Sequence, residues 1–274
     1  MKQTMRNKWS DLHAKLSFAM CGVLMLTTAA SCTDETESMG QASPLTMNIT
    51  VDGNGSRAII EDGALPNGGL VGVTIVDATG STYNGTSYVN IKGTTSGTSL
   101  SLASEVMMTD TDATIYAYYP WASGVTETAV PLTSGDTDYL YATPITGVNS
   151  GNANATLSMS HALACLRLNI NRGAYAGTGA LTTLTVTSDA LSSTGKLNAR
   201  TGAVTATGTG VYETDLSRTI SDATITEDIM VIPTETAADI TISLLVDGNQ
   251  YYVTAGNVTL TKGSICEYTV DIET

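Results

Sequence analysis

The sequence predicts an all-β protein built as two tandem β-sandwich domains, and three observations carry that expectation. Thr, Ser, Gly and Val dominate while Lys and Glu are scarce, a composition suited to strands and turns. No window of about a dozen residues keeps the 3.6-residue apolar spacing of an amphipathic helix. Short alternating runs recur instead between Gly-, Asn- and Asp-containing breaks. They follow no repeat of fixed length, which counts against a β-helix or propeller and leaves sandwiches.

The chain opens on a leader. Lys2, Arg6, Lys8 and Lys15 precede the apolar run Leu16–Leu26, shorter than the roughly 20 residues that cross a bilayer. Ala29, Ala30 and Ser31 then lead into Cys32. Residues 1–31 therefore read as a bacterial signal peptide ending at a lipidation cysteine, with Ala29 where a lipobox usually carries leucine; ordinary secretion is the alternative. The acidic run Thr33–Glu37 resembles the export tag of surface lipoproteins, or is a solvated linker.

Losing the leader removes four of the 12 basic residues and one of the 26 acidic ones, so the net charge moves from −14 to −17 over the remaining 243 residues. That balance excludes nucleic acid as a partner and opposes electrostatic binding to anionic lipid. Membrane contact is expected only through the lipid on Cys32, which places the protein at the outer membrane and cell surface. The remaining length suffices for two modest cores.

Residues 32–57 form the expected lipidated propeptide. Within it Leu45, Met47, Ile49 and Val51 alternate with polar residues, the pattern of a strand with one buried face. Asp52, Asn54 and Ser56 imitate the start of a calcium loop. Arg57, however, stands where the sharp-turn glycine belongs and Gly63 where the bidentate glutamate belongs, so calcium is rejected. Arg57 is also the only basic residue between Lys15 and Lys92, in a loop of turn-forming residues where a trypsin-like enzyme would cut the Arg57–Ala58 bond.

The N-terminal sandwich is expected over 58–155, with strands at Leu70–Val76, Ser87–Ile91, Ser99–Leu102 and Ala113–Tyr119 and a turn over Gly80–Gly85. Tyr116, Tyr118, Tyr119 and Trp121 cluster at the end of the last of these. They are either a platform for sugar stacking or ordinary core and strand-edge packing. Asp110 with Asp112, and Asp136 with Asp138, are isolated carboxylate pairs without further ligands, and no metal is assigned to them. The Gly147–Ala155 stretch is the most linker-like interior segment, and the domain boundary is expected near its end.

The C-terminal sandwich, 156–274, begins with a long strand over Leu157–Ile170. Leu157, Met159, His161, Leu163 and Cys165 share one face and Ala164, Leu166, Leu168 and Ile170 the other. The buried face therefore changes near Leu163–Leu166, at a bulge or a change of packing partner. His161, the only histidine beyond the leader, lies about 13 Å along the strand from Cys165, too far to share a metal ion, and reads as a packed side chain. Strands follow at Leu181–Thr187, Gly202–Ala206 and Ile229–Ile232. Ile240–Val246 and Gln250–Val253 meet across Asp247-Gly248-Asn249, a strong hairpin signal. After Val258–Thr261, the last strand carries Cys266, Tyr268, Val270 and Ile272 on one face. Cys165 and Cys266 either form a disulfide or remain two buried free thiols; spacing alone decides nothing.

Several stretches together resemble the fimbrillins, subunits of type V pili. They are Ser56-Arg57-Ala58 after the first strand, Tyr116-Ala117-Tyr118-Tyr119-Pro120, Tyr139-Leu140-Tyr141-Ala142, His161-Ala162-Leu163-Ala164 and Glu267-Tyr268-Thr269-Val270. The resemblance implies two transthyretin-like sandwiches with Greek-key strand order, export as a lipoprotein and cleavage after Arg57. Loss of the first strand would then open a groove that a strand of another subunit fills. Polymerising members carry a donor segment after the last core strand, whereas this sequence stops at Thr274. Either Ile265–Ile272 is the donor, or the chain is a tip or minor subunit.

The expected function is thus a structural pilus subunit in adhesion, lipid-anchored at first and part of an extracellular fimbrium after processing. Its expected partners are other subunits and a host or bacterial surface receptor. The alternative is a carbohydrate-binding surface lipoprotein using the tyrosines near Trp121. A lone histidine in a core position, with no Gly-rich phosphate loop and no metal-spaced Cys/His cluster, argues against an enzyme, and no cofactor is expected.

Overall fold

The computed structural model describes residues 41–52, 63–234 and 236–273. The expected leader over residues 1–31, Cys32, Arg57 and Ala58 lie outside the described residues. The fold is all-β. Its first half contains β1 (Ser43–Pro44), β2 (Thr46–Val51), β3 (Leu70–Val76), β4 (Tyr88–Ser96), β5 (Ser99–Leu102), β6 (Met107–Met108) and β7 (Ala113–Tyr119), followed by β8 (Val130–Thr133), β9 (Leu140–Ala142), β10 (Ile145–Val148) and β11 (Asn154–His161).

Eight of these strands form one sheet in the order β10-β7-β3-β4-β5-β2-β11-β9, and a further pairing of β7 with β9 closes it into a small barrel. β3 is buried along nearly its whole length because its run Leu-Val-Gly-Val-Thr-Ile-Val is apolar on both faces. Gly72 is required within it: a Cβ there would lie 2.3 Å from Cε1 of Tyr118, whose ring packs across the strand. Met47, Ile49, Val73, Ile75, Ile115, Leu157 and Met159 fill the barrel interior.

The second half contains β12 (Ala164–Asn171), β13 (Ala180–Thr187), β14 (Thr194–Asn198), β15 (Ala203–Ala206) and β16 (Val211–Thr219), then β17 (Ile225–Val231), β18 (Ala238–Val246), β19 (Asn249–Val258) and β20 (Ile265–Asp271). The sheets β17-β12-β20 and β16-β13-β18-β19 share a core that includes Leu166, Leu168, Ile170, Leu184, Val186, Ile242 and Leu244. The β18–β19 turn is the expected hairpin. Asp247 and Gly248 both take the positive φ, 49° and 79°, that a two-residue primed turn requires.

A further sheet, β15-β14-β8, ties the halves together, because β8 comes from the first and β14 from the second. Pro131 fits β8 because that strand is an edge and needs no outward N–H. Over this sheet lies a separate core of Tyr118, Val130, Leu132, Leu163, Leu197 and Met230.

The long strand expected over Leu157–Ile170 is two strands. β11 ends at His161, the chain bends at Ala162-Leu163, and β12 begins at Ala164 in a different sheet, which accounts for the change of buried face. The Gly147–Ala155 stretch proves to be a turn rather than a linker. The Asn149 side chain accepts hydrogen bonds from the backbone N–H groups of Gly151 (2.9 Å) and Asn152 (3.2 Å), and β11 then joins the first sheet. Val258–Thr261 forms no strand of its own; β19 simply runs on to Val258. β16 has no clear apolar alternation because it is a half-exposed edge with Glu213, Asp215 and Arg218 along it, so sequence periodicity passes over it.

Candidate functional site

The site is the seam of the barrel that β2 occupies. β2 lies between β5 and β11, with Met47, Ile49 and Val51 turned into the core, and Ile49 is fully buried. Its two edges are held unequally. Toward β11 the ladder is parallel and runs from Asn154↔Thr46 to Met159↔Val51. Toward β5 only Met47↔Leu100 and Asn48↔Ser99 are in register. Beyond that short pairing the seam widens into a cleft of about 380 Å³ bordered by Leu45, Asn48, Leu102 and Val106.

Polar contacts pin the ends of the strand. Leu45 N–H donates to Val106 O and Thr46 N–H to Ala153 O, both at 2.9 Å. The Thr46 hydroxyl meets the Asn154 side chain. At the other end Asp52 N–H donates to Met159 O at 2.8 Å, and the Asp52 carboxylate accepts from the hydroxyls of Ser158 and Ser160. Gly93 completes the slot from the β4 side, since a Cβ there would stand 2.8 Å from Cδ1 of Leu100, which packs over it.

The aromatic cluster is committed to structure. Trp121 Nε1–H donates to the Asn90 carbonyl at 3.2 Å, Lys92 Nζ lies 5.4 Å from its ring centroid, and the Tyr118 hydroxyl donates to Asn90 Oδ1 at 2.7 Å. Burial raises the pKa of Tyr118 and of Tyr119, with the Asp138 carboxylate adding to the effect at Tyr119. His161 is 8% exposed and its Nδ1 lies 3.1 Å from Asp138, so it is a packed side chain paired with a carboxylate. Asp112 accepts a hydrogen bond from the Asn149 side chain at 2.7 Å. Among the described residues no group of three or more His, Cys, Asp or Glu side chains could hold a metal ion.

The disulfide left open by the sequence is not formed: Cys165 and Cys266 are free thiols. In the parallel β12–β20 pairing Cys266 stands beside Leu166, and Cys165 beside Ile265. Neighbouring positions on one strand face opposite ways. Cys266 accordingly packs on the core of the second half, and Cys165 enters the core beneath the joining sheet. Burial, with Asp228 nearby, pushes the Cys165 thiol up to about 12.

Sequence reasoning missed a clasp between the halves. Glu127 is 4% exposed and accepts from Arg200 Nε at 2.8 Å and from the Thr74 hydroxyl at 3.1 Å. The Arg200 guanidinium also lies 4.8 Å from the centroid of the Tyr116 ring. Nothing in the local sequence announces this, because Glu127 and Arg200 both sit in loop stretches rich in Thr and Gly.

These features define an all-β fold whose most distinctive element is a short strand inserted between two others. Its fold is that of solved cell-adhesion candidates from Bacteroides. One from Bacteroides ovatus is 19% identical with a TM-score of 0.65, covering 84% of this chain and 92% of the other. One from Bacteroides uniformis is 18% identical with a TM-score of 0.61, covering 84% and 93%. A third, from Bacteroides fragilis, is 14% identical with a TM-score of 0.59, covering 85% and 94%. No curated protein matches the sequence. The fimbrillin-like family model matches residues 56–274, and the chain belongs to that family. It is therefore a fimbrillin-type surface protein.

Proposed function

We propose that the protein is a fimbrial subunit made of two transthyretin-like sandwiches, exported on a lipid at Cys32 and cut at Arg57–Ala58. It is then assembled when a strand of a neighbouring subunit replaces β2. The observation that carries this is the setting of β2: a six-residue strand with three buried side chains, placed between two strands rather than on an edge. Its removal would leave unpaired N–H and C=O groups along β11 and an apolar slot lined by Leu100, Leu157 and Met159. The carbohydrate-binding alternative gains no support from Trp121, whose indole N–H and ring are engaged within the fold.

Brief trypsin treatment of the purified protein, followed by N-terminal sequencing and electrophoresis without boiling, tests the proposal. The expected product begins at Ala58 and loses the preceding segment under mild denaturation. Resistance of Arg57 while lysines or arginines within the described strands are cut first would remove the mechanism.

A further inference from the structure

The two halves share a spatial plan that their connectivity conceals. In the first, the antiparallel run β7-β3-β4-β5 is followed by β2-β11-β9, in which β2 is parallel and β9 antiparallel to β11. In the second, the antiparallel run β16-β13-β18-β19 faces β20-β12-β17, in which β20 is parallel and β17 antiparallel to β12. The first half is joined at both seams, β5 to β2 and β9 to β7. The second is joined by a ladder at neither.

Its β16/β17 seam is bridged by the Arg218–Glu227 ion pair at 3.2 Å and by Gly135, which forms a backbone bridge to Met230. The β19/β20 seam instead opens into a groove of about 310 Å³ floored by Ile242, Leu244, Tyr251, Val253, Val270 and Ile272. Val253 is 38% exposed although it points to the core side of its sheet, and Tyr252 beside it is 66% exposed.

The rim of this groove is a bare edge. β19 reads Asn-Gln-Tyr-Tyr-Val-Thr-Ala-Gly-Asn-Val, ten residues without a charge or a proline, which are the usual protections of a free edge strand. In the two-residue hairpin the Val246↔Asn249 pair closest to the turn exchanges both hydrogen bonds, so the alternation places the backbone groups of Gln250, Tyr252 and Thr254 outward. On the opposite lip stand Asp271 and Glu273, with no lysine or arginine in the lining.

We infer that the β19/β20 seam is a second strand-accepting site, which takes an extended segment of another polypeptide chain. The segment carries apolar side chains at alternate positions and no acidic residue. β2 is the form of segment this fold already accepts at the equivalent seam: uncharged, with Met47, Ile49 and Val51 on one face and a parallel neighbour on one side. Acidic segments are disfavoured by Asp271 and Glu273. The site is open with β2 in place, so it stands apart from processing at Arg57.

The test is a titration of the intact, uncut protein with a fluorescently labelled peptide of residues 43–51, carrying a photo-crosslinking side chain at the Met47 position. Saturable binding at one peptide per chain is expected, with crosslinks to the Tyr251–Val253 or Thr269–Ile272 stretches. Replacing Tyr252 by proline removes one outward N–H without touching the β18 ladder and should weaken binding about tenfold. If Tyr252→Pro fails to fold, Val253→Lys, which sets a cation in the apolar floor, should weaken binding to a similar degree. A peptide with glutamate at the positions of Asn48 and Thr50 should bind at least about tenfold more weakly. Crosslinks confined to β5 and β11 would show exchange at the β2 slot alone and overturn the inference. So would an absence of saturable binding, or equal binding by the folded variant.

Discussion

Replacing Ile49 by alanine gives the sharpest test of how β2 is held. Ile49 is fully buried at the middle of the strand, paired with Leu157 on β11 and packed in the barrel core. Truncation removes three carbon atoms, about 0.8 kcal/mol each in transfer free energy, and leaves part of a cavity, for a loss of about 3 kcal/mol. In a chain of this size that corresponds to a fall in Tm of about 6–12 °C for the transition that melts the barrel. Once the chain is cut beyond Asp52, β2 is retained only by noncovalent contacts, and the same loss weakens its retention roughly 100-fold. Differential scanning calorimetry of the uncut protein and gel filtration of the cut protein read the two effects separately. Val89→Ala, at a site 43% exposed, is the control and should change little. If Ile49→Ala lowered Tm by less than about 2 °C, or left retention of the cut segment unchanged, β2 would not be a principal element of the core.

Three further outcomes follow from the packing and the charges. Arg200→Ala leaves the buried Glu127 carboxylate with the Thr74 hydroxyl, and since Arg200 is 30% exposed the cost falls below the usual range for a buried pair, at about 2–3 kcal/mol in urea unfolding. Adding Glu127→Gln should recover part of it by removing the uncompensated charge. Thiol labelling at pH 8 should modify Cys266, which is half-buried, well before Cys165, whose pKa is pushed up to about 12; mass spectrometry of labelled peptides would show the order. The Asp247 carboxylate accepts hydrogen bonds from the Thr178 and Tyr175 hydroxyls and from Gly179 and Ala180 N–H, and they hold its pKa well below the ordinary value near 4. Its stabilising effect is therefore complete above about pH 4 and is lost as pH falls through the depressed value. Asp247→Asn should flatten that acid limb of a stability–pH curve.

What the sequence made legible is what alternation and turn chemistry encode locally. Leu45–Val51 announced a one-faced strand, Asp247-Gly248 a hairpin, and the switch of faces near Leu163 a change of partner; each has a counterpart in β2, the β18–β19 turn and the bend at Ala162-Leu163. What stayed hidden depends on which strand lies beside which. β8, β14 and β16 offer little apolar periodicity, and their pairings join residues far apart in the chain, such as Leu132 with Gly195. The Cys165–Cys266 question turned on a one-residue difference in register, which spacing along the chain does not reveal.

The two halves differ at their seams because of where the parallel strand comes from. A strand parallel to the long central strand reaches the first half from the start of the chain and the second half from its end. β2 arrives beside β5 and pairs with it, so the first half has no open seam there, and in the sequence this strand precedes Arg57, the only basic residue between Lys15 and Lys92. β20 pairs with β12 but not with β19, so the second half keeps its apolar floor partly uncovered at Val253 while its own strands remain in place. One plan thus yields a seam that must lose a strand before it can accept another, and a seam that can accept one without losing any. Binding at the first should depend on cleavage, and binding at the second should not, so a comparison of peptide uptake before and after trypsin separates them.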